Sequence, residues 1–140
     1  MQTQPPEETS SSPSNGYRIL MAEQDAFIRQ MSGVKFESAG SAFLGIDNVQ
    51  DIVDQAIQFK PDLISLGVLF PGDIDGFDAI QKLKSDPRTQ NIPVFFLTNL
   101  GQEKEVQRGK NLGAAGYLIS AEYAPHEVAD IYLQYLKDHE

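Results

Sequence analysis

From Tyr17 onward, short apolar runs alternate with segments whose apolar residues recur at helical spacing. The runs are YRILMA (17–22), SAFLGI (41–46), DLISLGV (62–68), IPVFFLT (92–98) and GYLIS (116–120), none longer than seven residues. They are continuous rather than alternating, the pattern of strands buried on both faces of a parallel sheet. Between them, Phe27, Ile28, Met31, Val34 and Phe36 follow Asp25, a capping residue, and predict a first helix. Ile52, Val53, Ala56 and Ile57 predict a second that stops before Lys60-Pro61, and Phe77, Ile80 and Leu83 a third that ends at Asp86-Pro87. The fourth, QEKEVQRGKNLG, has only Val106 and Leu112 as large apolar anchors. Gly109 weakens it by about 1 kcal/mol relative to alanine, so this helix is expected to be the least firmly held. The fifth starts at Pro125 and carries Val128, Ile131, Tyr132, Tyr135 and Leu136 on one stripe. Strand and helix in strict alternation predict an α/β fold, a three-layer, doubly wound, five-stranded parallel sheet. Residues 1 to 16, mostly Pro, Ser, Gln, Glu and Gly, are expected to form a disordered tail before a domain over 17–140, because ordering them would bury almost nothing.

Composition narrows the function. With 140 residues, 41% of them hydrophobic, the chain suffices for a single packed core. Twenty acidic against 11 basic residues leave a formal charge of -9, which repels a phosphate backbone and an anionic bilayer; neither nucleic acid nor membrane is expected as a partner. There is no cysteine, so disulfides, thiol nucleophiles and thiolate metal sites are excluded, and the two histidines lie away from the acidic clusters. No apolar run approaches the roughly 18 residues of a membrane span, and the first residues lack a secretory signal. A cytoplasmic location is the resulting expectation.

In an open α/β sheet the working site lies beyond the carboxyl ends of the strands. There the chain places Glu23, Gln24 and Asp25, then Gly67 with the turn VLFPGDIDG, then Thr98 and Asn99, then Ser120. The blocks ILMAEQDAFIRQ, KPDLISLGVLFPGDIDGFDAIQKLK, IPVFFLTN and LGAAGYLIS, in this order, resemble a response-regulator receiver domain of the CheY-like, flavodoxin-like fold over about residues 17–137. The resemblance implies strand order 2-1-3-4-5. It also implies a signalling switch in which two acidic residues hold Mg²⁺, an aspartate accepts a phosphoryl group, and a hydroxyl and a lysine contact that group. Carried over, Glu23 and Gln24 stand for the acidic pair, Gly67 for the acceptor, Thr98 for the hydroxyl, Tyr117 for a switching aromatic and Ser120 for the lysine.

Three of these positions have lost the chemistry. Gly67 has no side chain on which an acyl phosphate could form, Gln24 is neutral, and Ser120 offers no ammonium for an anion. No metal or other cofactor is therefore expected. Asp73 and Asp75, in a turn one residue longer than the family pattern, and Asp25 are the acids that could form a displaced pocket. The plainer reading makes Asp75 and Asp25 helix caps. No nucleophile and base pair stands at the strand ends, so enzymatic activity is not expected. The resulting expectation is a degenerate, stand-alone receiver, a pseudo-receiver, that binds a protein partner or its own copy through the fourth helix, fifth strand and fifth helix, with Val106, Tyr117 and Tyr123 on that surface. The alternatives are a phosphoacceptor that uses a displaced acid, and a small-molecule sensor that uses the vacated pocket.

Overall fold

A computed structural model describes residues 13 to 140. Its strands are β1 (Arg18–Ala22), β2 (Ala42–Ile46), β3 (Leu63–Leu66), β4 (Val94–Thr98) and β5 (Gly116–Ile119). Its helices are α1 (Ala26–Ser38), α2 (Ile52–Phe59), α3 (Gly76–Ser85), α4 (Glu103–Asn111) and α5 (Pro125–Asp138). All strand pairs are parallel, in the order β2-β1-β3-β4-β5. Successive side chains of a strand point to opposite faces, and the apolar runs supply both faces at once. Leu20 and Ala22 of β1, with Ile64 and Leu66 of β3, join one core with Ile52 and Ala56 of α2 and Phe77, Ile80 and Leu83 of α3. Ile19 and Met21, with Phe95 and Leu97 of β4, join the other with Phe36 of α1 and Val128, Tyr132 and Leu136 of α5. Every strand before β5 is thus covered above and below.

The caps follow the sequence. The Asp25 carboxylate accepts from the Ile28 N–H at 3.0 Å. Asp75 and Asp78 form a reciprocal capping box at 2.9 Å in each direction, an arrangement of the kind that contributes about 1 kcal/mol. Lys60 takes a left-handed φ of 56° and ends α2 ahead of Pro61.

Three expectations need correction. The apolar stripe of α1 is out of phase with its buried face: Phe27 is 70% and Val34 50% exposed, while Ser32, Gly33 and Phe36 are buried. The reason is close packing, since a Cβ on Gly33 would lie 2.9 Å from the Phe43 ring of β2; small residues face the sheet there because nothing larger fits. In α4, the buried residue is Gly109, not Val106, and a Cβ there would come within 2.9 Å of the Tyr117 ring and 3.0 Å of the Phe96 ring. The residue that weakens the helix locally is the one on which it docks. Third, β5 is half-buried throughout whereas β2, also an edge strand, is fully buried. Ala42, Leu44 and Ile46 of β2 join the core with α2 and Phe43 stacks on Phe36 of α1, while α4 turns only Gly109 inward beside β5.

Residues 1 to 12 of the expected tail lie outside the described residues. Near its expected end, the Asn15 amide donates to the Ala39 carbonyl at 3.0 Å and to Ser41 Oγ at 2.7 Å, fastening the approach to β1 against the α1–β2 turn. Among the described residues no helix is long and apolar enough to cross a membrane.

Candidate functional site

The carboxyl ends of β1, β3, β4 and β5 open into one cleft of about 520 Å³. Its lining includes Glu23, Gln24, Gly67, Thr98 and Ser120, so the five pocket positions singled out in the sequence converge on one place. Val106, Tyr117 and Tyr123 lie elsewhere. Tyr117 packs against Phe96, with ring centroids 5.4 Å apart, on the α4 side of the sheet. Tyr123 joins the core on the α5 side, so β5 separates the two tyrosines rather than gathering them into one patch.

Gly67 forms the floor. Its N–H donates to the Ala22 carbonyl at 2.9 Å, which holds the end of β3 beside β1. A Cβ added to it would lie 3.3 Å from Cζ of Phe70 and 3.4 Å from the Ala22 carbonyl oxygen. The Phe70 ring therefore borders the volume into which a longer side chain at 67 would grow. Gly67 is not among the positive-φ glycines, so its backbone conformation does not itself demand glycine.

The acids around the cleft are occupied with backbone. A Glu23 carboxylate oxygen accepts from the Asp25 N–H at 2.9 Å, and Asp25 caps α1. Asp75 belongs to the α3 capping box and Asp73 is exposed; neither lines the cleft. Mg²⁺ takes near-octahedral oxygen ligands that usually include one or two carboxylates. Here two carboxylates line the cleft, Glu23 and Asp25, but each accepts a backbone N–H. A neutral amide, Gln24, stands between them in the chain and a glycine at the acceptor position, and among the described residues no group of three His, Cys, Asp or Glu side chains is placed to hold a metal. The donor set does not fit the ion.

Burial pushes the Glu23 carboxyl above the usual glutamate range, outweighing the Asp25 N–H that favours the ionised form. A raised carboxyl pKa means that the native state holds its proton more tightly than the unfolded chain. Native stability from this group is therefore lost as pH rises from the ordinary glutamate range through the raised native value. Glu23→Gln is expected to be more stable than wild type in urea at pH 7, with the difference closing in acid below the ordinary glutamate range. A variant less stable than wild type at neutral pH would refute the assignment.

At the rim, the Thr98 hydroxyl accepts from the Leu100 N–H at 3.2 Å, the local loop bond common for a hydroxyl at a strand end. Asn99 Oδ1 accepts from Ser120 Oγ and from the Ala121 N–H, both at 2.8 Å. Ser120 thus turns toward the β4–α4 loop. Burial raises the Tyr117 phenol, and its hydroxyl donates to the Leu100 carbonyl.

With this geometry in place, the receiver-domain model of response regulators matches residues 19–124, most of the chain and every strand. The chain belongs to the response-regulator receiver family. The receiver is 35% identical over 113 residues to the phosphate regulon transcriptional regulatory protein PhoB of Pseudomonas aeruginosa, a match over 81% of this chain and 48% of that protein. It is 38% identical over 107 residues to the DNA-binding dual master transcriptional regulator RpaA of Synechocystis, over 72% of this chain and 42% of that protein. The receiver thus spans about half the length of these two regulators. Against protein PilH of Pseudomonas aeruginosa, at 34% identity over 101 residues, the match takes in 72% of this chain and 83% of the relative. In fold it resembles a response regulator from Chloroflexus aurantiacus, with a TM-score of 0.77, 24% identity and coverage of 86% of this chain and 98% of the other. The chemotaxis protein CheY4 of Vibrio cholerae gives a TM-score of 0.76 at 21% identity, with coverage of 84% and 97%.

Two residues of the receiver's site had no role in the sequence. Asn99 was visible only as the residue after Thr98; its partner follows from the parallel register that sets Thr98 beside Ile119 and hence Asn99 beside Ser120. Phe70 was hidden inside the turn after β3, and no periodic signal marks a loop residue that folds back onto the strand end.

Proposed function

We propose that this receiver works without aspartyl phosphorylation, as a protein-binding or scaffold module in two-component signalling. The observation that carries the reading is Gly67: at the end of β3, on the cleft floor, the chain offers no side-chain oxygen, and the phosphoryl transfer expected of the family has no nucleophile there. Gln24 and Ser120 support it, since Gln24 puts a neutral amide where the family carries an acid, the cleft's other carboxylate, Asp25, is engaged as the α1 cap, and Ser120 supplies no ammonium for an anion. The contact surface belongs to α4, β5 and α5. There β5 is half-exposed along its length and carries no charge, and Val106 lies on the neighbouring helix. Such an edge strand bordered by aromatic side chains suits a protein partner or a second copy better than a nucleic acid, which a net charge of -9 repels.

Incubation of the intact protein with Mg²⁺ and acetyl phosphate, followed by intact-mass measurement at low temperature, is expected to give no phosphoryl adduct. A parallel fluorescence titration with beryllofluoride is expected to be flat. A stoichiometric acyl phosphate mapped to Asp25, Asp73 or Asp75 would replace this reading with that of a phosphoacceptor using a displaced acid.

A further inference from the structure

We infer that Asn99 is the residue that holds the receiver's β4–α4 loop in a single conformation, so that the surface beside β5 is built permanently rather than on a signal. The inference rests on the phosphorylation-independent reading and says how the chain does without a covalent trigger. Three consecutive residues leave β4, and each is tied by a different bond. The Thr98 hydroxyl takes the Leu100 N–H at 3.2 Å. The Asn99 side-chain oxygen takes two donors from the far side of β5, the Ser120 hydroxyl and the Ala121 N–H, each at 2.8 Å. The Leu100 carbonyl takes the Tyr117 hydroxyl. Asn99 is the central member because it alone bridges to the segment after β5; the Thr98 bond stays within the loop.

Packing closes the arrangement. Below the Tyr117 ring lies Gly109 of α4, where a Cβ would be 2.9 Å from the ring, and beside it the ring of Phe96. The tyrosine therefore fills its place between β4 and α4 while its hydroxyl reaches the loop. If the loop moves, Tyr117 loses its acceptor; if Tyr117 leaves, the loop loses one of its ties. Two elements that must move together make a cooperative, single-state unit rather than a fraying loop. Ser120 is suited to this task by its size, since its hydroxyl reaches across to Asn99 without filling the cleft.

The test is amide exchange and ¹⁵N relaxation dispersion on the full chain. In the wild type, dispersion profiles at Leu100, Tyr117 and Ala121 are expected to be flat, and the Ala121 amide to be protected. In Asn99→Ala both donors lose their acceptor. Ala121 exchange is then expected to accelerate about five- to tenfold, as for loss of one ordinary hydrogen bond, and dispersion to appear at Leu100 and Tyr117. Asn99→Asp keeps the acceptor oxygen and is expected to retain wild-type protection, which separates the bond from any general effect of substitution. Millisecond exchange at these three sites in the wild type, or an Asn99→Ala protein as quiet as the wild type, would overturn the inference. Both results are independent of the acetyl phosphate experiment: an adduct there removes the phosphorylation-independent reading, whereas a mobile loop here removes only the role of Asn99.

Discussion

Tyr132→Ala is expected to lose about 4 kcal/mol of stability and to lower the melting temperature by roughly 15 °C, bringing the domain close to the limit of folding. Tyr132 is fully buried in the middle of α5, with its ring 5.0 Å from Phe95 and 6.0 Å from Phe36, so one side chain joins α5 to β4 and to α1. Removing it leaves a cavity the size of a ring among aromatic neighbours that cannot collapse into it, the situation in which large-to-small changes are most damaging. It also strands a hydroxyl. Tyr132 and Ser65 of β3 share a buried hydrogen bond of 2.6 Å, and burial pushes the phenol far above its usual value, which keeps it neutral at any working pH. Tyr132→Phe isolates that second contribution, expected at about 1 to 2 kcal/mol for the unpaired Ser65 hydroxyl. Urea unfolding of both variants checks the pair, and a loss below about 2 kcal/mol in the alanine variant would show that α5 is not anchored through this ring.

Gly76→Ala is the second large effect, expected to remove about 3 kcal/mol although alanine is by itself the better helix former. The first residue of α3 lies against the turn that leaves β3, with its N–H donating to the Val68 carbonyl at 2.8 Å. A Cβ at this position would sit 2.0 Å from the Gly67 carbonyl oxygen and 2.8 Å from the Val68 Cα. Both obstacles are backbone, so no rotamer change relieves the overlap; either α3 or the cleft floor must shift. Gly67→Ala is the matched control. Its Cβ would meet only the edge of the Phe70 ring and the Ala22 oxygen at 3.3 and 3.4 Å, and the lost freedom of the unfolded chain partly offsets that tightness. Its change is expected to stay within about 1 kcal/mol. If Gly67→Ala proved as damaging as Gly76→Ala, the glycine on the cleft floor would be there for packing, and the absence of an acceptor would be a by-product of shape rather than of chemistry.

The contrast between these glycines marks how far the residues could be read without coordinates. Gly67, aligned with the acceptor position by the blocks around it, was legible as lost chemistry. Gly76 read only as part of a turn and Gly109 only as a weak point in a helix, because the neighbours that require them, Gly67 with Val68 in one case and Tyr117 with Phe96 in the other, come from other elements. The phase of α1 departs from its apolar spacing for the same reason: Phe27 and Val34 have the right spacing for a buried stripe, yet the sheet accepts Ser32 and Gly33. In the site, Glu23, Gln24, Thr98 and Ser120 could be placed at strand ends one by one, whereas the bonds from Ser120 and Ala121 to Asn99 depend on which strands lie side by side.

By itself, then, the sequence determined the alternation of strand and helix, the parallel sheet and the set of side chains at its carboxyl edge, because those follow from local periodicity and from apolar runs that must be covered on both faces. Tertiary structure decided which helix face turns inward, which glycines are indispensable and which polar groups at the cleft bond to one another. These depend on separations of a few tenths of an ångström between segments far apart in the chain, and close packing resolves such separations only when the elements meet.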